Sequence, residues 1–259
     1  MGLNQPFHLR YIDWLWGVLH GDLGSSLENG QPVLQLILER LPATLELAVA
    51  SMAIMLVIAL PLGVISAVRQ HSWVDRGSMF FAIFWISMPS FWLALILLLL
   101  FAVRWDVFPI SGRAGALFSL TGLSYLVLPA ISNGARRAGL LTRMTRSSML
   151  EILNEDYIRT ARGKGIGRRS VVYTHAMRNA MIPIITLIGL QVPTLISSSV
   201  IIETVFAWPG LGRMLVGAVE RRNYPVVQGI VLFYSLIVII SNLVVDVAYS
   251  YFDPRIKYD

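Results

Sequence analysis

A chain of 259 residues that is 56% hydrophobic and only 14% charged, with a mean hydropathy of +0.66, is too apolar for an ordinary soluble domain and reads as an integral membrane protein. The absence of cysteine excludes disulfides and thiolate metal sites. A net charge of +6 would suggest a nucleic-acid partner in a soluble protein, but in a membrane protein arginine mostly reports which loops stay in the cytoplasm, so no nucleic acid is expected.

The N-terminal stretch "MGLNQPFHLRYIDWLWGVLHGDLG" lacks the long apolar core and small-residue cleavage site of a signal peptide. Phe7, Tyr11, Trp14, Leu15, Val18 and Leu19 recur at helical spacing. They predict an amphipathic helix, either lying at a membrane interface or packed on the rest of the protein. Residues 1–46 are therefore read as an external amphipathic segment, and 47–259 as a polytopic all-α membrane domain.

The first long apolar run is Leu47–Val68, whose 22 residues carry no charge; about 20 suffice to cross the hydrocarbon. The second is Gly77–Val103, also uncharged. Their internal prolines, Pro61 and Pro89, are tolerated where neighbouring helices satisfy the freed carbonyls. The third, "LFSLTGLSYLVLPAISNGARRAGLL", contains Asn133, Arg136 and Arg137. An arginine at mid-bilayer costs about 2.5–3.5 kcal/mol on insertion scales. Either the span starts near Leu117 and the arginines snorkel at its inner end, or they face a wet pathway. The fourth span is Pro183–Ile202, with proline at its first turn, where its missing N–H costs nothing. The fifth is Val226–Tyr249, containing Asn242 and Asp246.

Five spans place the termini on opposite sides. The loops 69–76 and 138–182 and the tail from 250 hold twelve basic residues, against seven in 1–46, 104–116 and 203–225. The positive-inside rule makes the first set, and with it the C-terminus, cytoplasmic.

The large cytoplasmic loop, about 143–182, contains "EDYIRTARGKGIGRR" (155–169), with five basic residues and two acids. From Ser147 to Gly165 the pattern is helical, with Met149, Ile152, Leu153, Tyr157 and Ala161 on one stripe that needs a partner surface. Gly163, Gly165 and Gly167 then end the helix and allow a tight turn. A second amphipathic stretch, Val171–Met181, leads into Pro183. The pattern alone fits a compact hairpin or a solvated basic loop equally well. The glycines do not form a nucleotide site: GxxxxGK[ST] and GxGxxG are both absent and no strand precedes them. This chain is not expected to hydrolyse ATP. His8, His20, His71 and His175 are scattered, so no metal site is expected.

The segment "EDYIRTARGKGIGRRSVVYTHAMRNAMIP" resembles the EAA loop of permease subunits from ABC-type importers of dipeptides, oligopeptides and glutathione. The resemblance runs through "RMTRSSMLEIL", "ETVFAWPGLGR", "RRNYPVVQG" and "LVVDVAYSYFDPRIKY", and upstream through "LGSSLENGQPV" and "LPATLELA", so it covers nearly the whole chain. It implies the transmembrane domain of a type I ABC importer in a bacterial inner membrane, working by alternating access. The implied partners are a second, similar permease subunit, two cytoplasmic ATPases that use the ATP, an external solute-binding protein and membrane lipid. It also implies that the loop forms a coupling helix seated in a groove of the ATPase.

The positions matching that helix are Glu155, Asp156, Tyr157, Ile158, Arg159, Thr160, Ala161, Arg162, Gly163, Lys164 and Gly165. Tyr157, Ile158 and Ala161 are expected to dock, and Arg159, Arg162 and Lys164 to pair with acids on the ATPase. The general motif begins Glu-Ala-Ala where this chain has Arg159-Thr160-Ala161, a departure usual in the peptide branch. Such permeases have six spans. Here the first is missing, which suggests a start assigned too far downstream or else a shortened subunit.

A transported solute needs a polar path, and Gln191, Thr194, Ser197, Ser198, Ser199 and Asn242 are the candidates, although hydroxyls in spans often bond only to neighbouring helices. In "FAWPGLGR", Pro209, Gly210 and Gly212 impose a turn, and Trp208 can anchor at the interface. That segment reads as a gate, a docking surface or a structural re-entrant turn, and Glu203 before it as solvated or functional. Asp246 reads as an intramembrane acid or an interfacial partner for an arginine. Other cargoes of similar permeases include nickel complexes. An intramembrane enzyme is disfavoured, because GxSxG, HExxH and paired intramembrane acids are all absent. A stand-alone channel would leave the hairpin without a motor.

Overall fold

A computed structural model describes residues 6–115 and 119–252, the side chains of 246 and 248–252 excepted. Among these residues the regular structure is helical, joined by loops such as 20–32 and 105–115, and the only extended pairing is a single bridge between Ser25 and Pro32. The predicted N-terminal helix is present as α1 (Phe7–Leu19), started by Pro6, and none of its residues is buried. Its aromatic face is free for an interface.

α2 (Val33–Val68) has 36 residues, about 54 Å at 1.5 Å per residue. It reaches back well before the predicted start at Leu47. Glu39, Arg40 and Glu46 interrupt the apolar run and hide the helix from a hydropathy reading. A helix needs only one apolar stripe, and Val33, Ile37 and Leu47 supply it, all fully buried.

α3 (Trp73–Ser87) is capped by Ser72, whose hydroxyl accepts from Asp75 N–H at 3.2 Å. Met88, extended ahead of Pro89, then breaks the chain, and α4 (Ser90–Leu97) leaves at 103°. The wider π-turns of Leu98–Arg104 continue it. The uncharged run Gly77–Val103 is thus a sharply bent pair, not one straight span.

α5 (Leu120–Leu153) is capped by Ser119, which accepts from Gly122 N–H at 2.9 Å. The predicted start, Leu117, lies outside the described residues. The helix carries Arg136 and Arg137 mid-length and continues well into the predicted loop. It stops at Asn154, and the extended Glu155 separates it from α6 (Asp156–Gly163). The single helix expected over 147–165 is therefore two. α7 (Arg168–Ser170) and a π-stretch, Val171–Ala176, run straight into α8 (Met177–Val205). Pro183, expected in a first turn, sits inside that helix. α9 (Leu211–Glu220) and α10 (Tyr224–Phe252) complete the fold.

α5 is the central post. A Cβ on Gly134 would lie 2.6 Å from the Ser51 carbonyl oxygen of α2, and one on Gly139 would lie 2.5 Å from that of Ala82 in α3. Missing side chains thus let helix backbones touch, the packing mode favoured where lipid removes the ordinary hydrophobic drive between helices. Large apolar side chains such as Val57, Phe80, Ile239 and Val247 face outward, as a lipid-facing belt requires. By length and composition Val33–Val68, Arg168–Val205 and Tyr224–Val245 can cross a membrane, and the bent pair would make a fourth.

Candidate functional site

The polar hairpin is a built object. α6 ends in a Schellman turn: Gly165 N–H donates to Arg162 C=O at 3.0 Å, and Ile166 N–H to Ala161 C=O at 3.2 Å. Gly165 takes φ +76° there, the left-handed conformation that favours glycine. Neither Gly163 nor Gly167 adopts it, so one of the three glycines makes the turn.

The apolar stripe finds its partner within the chain. Ile158 (0% exposed) and Ala161 pack with Met149, Leu153, Val171 and Val172. Two of the three expected docking residues are therefore occupied, because an amphipathic helix lying on its own scaffold spends its apolar face there. Tyr157 stays exposed, its hydroxyl accepting from Asn179 Nδ2 at 2.7 Å. Glu155, Asp156, Arg159, Thr160, Arg162, Gly163, Lys164 and Gly165 are exposed. Beside the hairpin lies a cavity of about 540 Å³, lined by Val68, Leu153, Arg162, Arg168 and Val172 among others.

The same end of the molecule holds an ion pair that sequence reasoning missed. Arg146 forks onto buried Asp75, Nε to Oδ1 at 2.6 Å and NH2 to Oδ2 at 2.8 Å. Ser66 Oγ and His71 N–H also donate to Asp75. Asp75 lies in the turn before the apolar run of α3, and the Arg146 fork, helped by these two donors, holds its carboxyl well below the usual carboxylate range despite burial. This clamp ties the α2–α3 turn to α5, about two turns before that helix ends at the hairpin.

The predicted path residues divide. Thr194, Ser197, Ser198 and Asn242 line one groove of about 550 Å³ between α5, α8 and α10, together with Arg137, Leu190, Pro193 and Val238. Gln191 adjoins it, its side-chain oxygen accepting from Thr194 Oγ1 at 3.3 Å. Ser199 does not belong to it: it is buried on another face and donates to Glu203 at 2.9 Å. Of the two arginines, Arg136 is exposed. Arg137 folds onto α8, donating to Thr194 C=O and Ser198 Oγ, both at 2.8 Å, and to Asn133 C=O at 2.8 Å. Sequence left Arg137 open between snorkelling and lining a path, and the structure places it on the groove wall.

At the other end, the "FAWPGLGR" segment is clasped. Glu203, fully buried, accepts from Thr44 Oγ1 and Ser199 Oγ at 2.9 Å each, and from Arg213 N–H at 3.1 Å. Leu211 N–H donates to Thr44 Oγ1 at 2.8 Å. Trp208 is 1% exposed and donates from Nε1 to Ala43 C=O at 2.7 Å; it is a core plug and not an interfacial anchor. Gly210 and Gly212 are needed for closeness: a Cβ on Gly210 would overlap the Glu203 carboxylate, and one on Gly212 would lie 2.5 Å from Val200 Cα. Pro209, just ahead of them, is half-buried. The solvated reading of Glu203 is overturned. The only sequence hint was an acid ending an apolar run just ahead of a Pro-Gly turn. The side chain of Asp246 and the C-terminal "DPRIKY" lie outside the described residues.

The chain as a whole has relatives among known proteins. A family model described as binding-protein-dependent transport system inner membrane component matches residues 59–258. The dipeptide transport system permease protein DppB of Escherichia coli K12 is 42% identical over an alignment of 282 positions, covering 100% of this chain and 83% of the relative. A putative peptide transport system permease protein of Brucella abortus is 45% identical over 260, with the same coverage. Among solved structures, a chain of the inward-facing MetNI methionine ABC transporter superposes with a TM-score of 0.67 at 19% identity, covering 84% of this chain and 96% of that one. At that identity the likeness is one of fold.

Proposed function

Since the chain belongs to the family of binding-protein-dependent inner membrane transport components, we propose that it is the permease subunit of an ATP-driven importer of short peptides. The relatives that carry that cargo in their names match the whole of this chain. The chain is not itself an enzyme. Its working partners are two cytoplasmic ATPases, a second homologous permease and an external binding protein, with lipid around the belt. The hairpin and the C-terminus face the cytoplasm and the clasp faces outward, the orientation favoured by the basic residues.

One observation carries the coupling role. α6 is bound to α5 and to the start of α8 by buried Ile158 and Ala161, while its charged face is bare. A helix held this way moves with the spans it joins. An ATPase gripping Arg159, Arg162, Lys164 and Tyr157 on the outer face then transmits its closure as a rocking of α5 and α8. Rim charges of this kind set register more than affinity. The polar groove of Thr194, Ser197, Ser198 and Asn242, with Gln191 beside it, is the proposed path.

The test is purification with candidate ATPase subunits, then dipeptide uptake into proteoliposomes. Gly165→Pro removes both the left-handed turn and the N–H bound to Arg162. It is expected to abolish ATPase co-purification and uptake while the chain still reaches the membrane. Normal ATP-driven uptake by this variant, or by one lacking 155–165, would refute the coupling role.

A further inference from the structure

Arg137 is a cation without a counter-ion. The ion pairs among the described residues join Arg113 to Glu46, Arg146 to Asp75, Arg159 to Asp156 and Arg221 to Glu28. Arg137 is in none of them. Its three bonds go to neutral oxygens, those of Asn133, Thr194 and Ser198. A guanidinium has five N–H donors; Nε is buried with no acceptor at all. A charge half-buried between helices is costly and needs a compensating group. Every other lining residue of the groove is neutral: Thr194, Ser197, Ser198, Asn242 and three aliphatic side chains.

The side chain is also held in place. Ser198 Oγ accepts from Arg137 and itself donates to Asn133 Oδ1 at 3.0 Å. Asn133 Nδ2 in turn donates to Ser51 Oγ and Leu195 C=O. Three N–H donors are taken by neutral oxygens and Nε is closed off, so this fixed cation keeps one N–H and its whole charge for an anion such as a carboxylate, which a guanidinium binds by charge-assisted hydrogen bonds. At about 550 Å³ the groove lies within the roughly 300–1,000 Å³ usual for small-molecule sites.

Resting on the peptide-importer reading, we infer that Arg137 takes the C-terminal carboxylate of the passing peptide, while the hydroxyls of Thr194, Ser197 and Ser198 serve its amides. The groove is then a selective station and not a passive bore.

The experiment uses the complete importer in proteoliposomes. The cargoes are labelled dialanine and its C-terminal amide, each at a concentration that saturates the binding protein, so that capture outside does not limit the rate. In the unaltered complex the maximal rate for dialanine is expected to exceed that for the amide about tenfold. Arg137→Gln is expected to bring the two within twofold by slowing dialanine, with binding-protein-stimulated ATP hydrolysis retained. Arg137→Lys is expected to fall between. Should Arg137→Gln fail to assemble, Asn242→Asp supplies a fixed anion across the groove and is expected to slow dialanine more than the amide. Equal slowing of both cargoes would assign Arg137 to helix packing or to an acid of a neighbouring subunit, and an unchanged preference would leave it no role in recognition; either overturns the inference. Failure of the unaltered complex to import dialanine would instead sink the peptide reading on which it rests.

Discussion

The clasp and the hairpin are the two polar ends of one helical post, and they are built in opposite ways. At the clasp, polar groups are buried and paired over long sequence distances. Thr44 meets Glu203 across 159 positions, and Trp208 meets Ala43 across 165. Nearby, Asn223 Nδ2 donates to Ser26 Oγ and its Oδ1 accepts from Leu27 N–H. At the hairpin, α6 is held by apolar burial plus one side-chain bond, Tyr157 to Asn179, and its charges face outward. Buried polar networks specify a single arrangement, because a half-satisfied one is costly. Apolar burial fixes α6 to the spans beside it without a polar network and leaves its outer face bare. So one end is fixed in shape, and the other is a surface that can be gripped and moved.

Breaking the clasp should have the largest effect. Glu203→Ala removes the acceptor for Thr44, Ser199 and the Arg213 N–H, and leaves a cavity under Gly210 and Gly212. An orphaned buried donor costs about 1–3 kcal/mol, so a loss of about 3–5 kcal/mol is expected. It would be read as a steep fall in membrane-inserted protein and in thermal resistance of the purified complex. Glu203→Gln keeps the shape but sets an amide donor against the Arg213 N–H, and a loss near 1 kcal/mol is expected. If Glu203→Ala matches the unaltered protein, the two ends do not differ as described.

The hairpin sharpens the comparison. Ile158→Ala opens a hole between α6 and the Val171–Val172 turn, and such truncations cost about 2–5 kcal/mol in a close-packed core. Because α6 is a short helix at one end of the fold, the lower part of that range is expected, spent on loosening the hairpin and not on unfolding the spans. Hydrogen exchange over 155–166 should rise while α2 and α5 stay protected, and ATP hydrolysis should continue with uptake reduced. Uniform loss of protection would show that the hairpin is part of the main core.

Why the two ends differed in legibility follows from the same physics. The apolar runs of α2, α8 and α10 and the Gly165 turn could be read because hydropathy and φ preference are local properties. The 103° bend at Pro89 could not, since the run on both sides is uniformly apolar and proline occurs in straight spans too. Glu203 reads as solvated because it borders a loop, and Asp75 draws no notice in the sequence; what buries them comes from 159 and 71 residues away. The stripe of Ile158 and Ala161 was visible, but an amphipathic pattern is the same whether it covers its own chain or a partner. In the groove, Thr194, Ser198 and Asn242 were legible as polar residues in spans. Ser199, one residue on from Ser198, turns about 100° to another face, which only the helix's rotation decides.

The smallest expected effect on stability is the one most telling for function. Arg159 and Arg162 are exposed, and Arg159 reaches Asp156 at 3.5 Å with both side chains mostly in water. Such pairs contribute little, so Arg159→Ala and Arg162→Ala should change stability by less than about 0.5 kcal/mol. If the bare charged face is the grip of the ATPase, the same substitutions should weaken ATPase co-purification, and more so as salt is raised, because rim charges act through screened attraction. Stability and coupling would then separate at this face, whereas at Glu203 they fall together. Loss of stability on substituting either arginine would give that side chain a part in the fold, and coupling indifferent to both would mean that the partner holds the hairpin by Tyr157 and backbone alone.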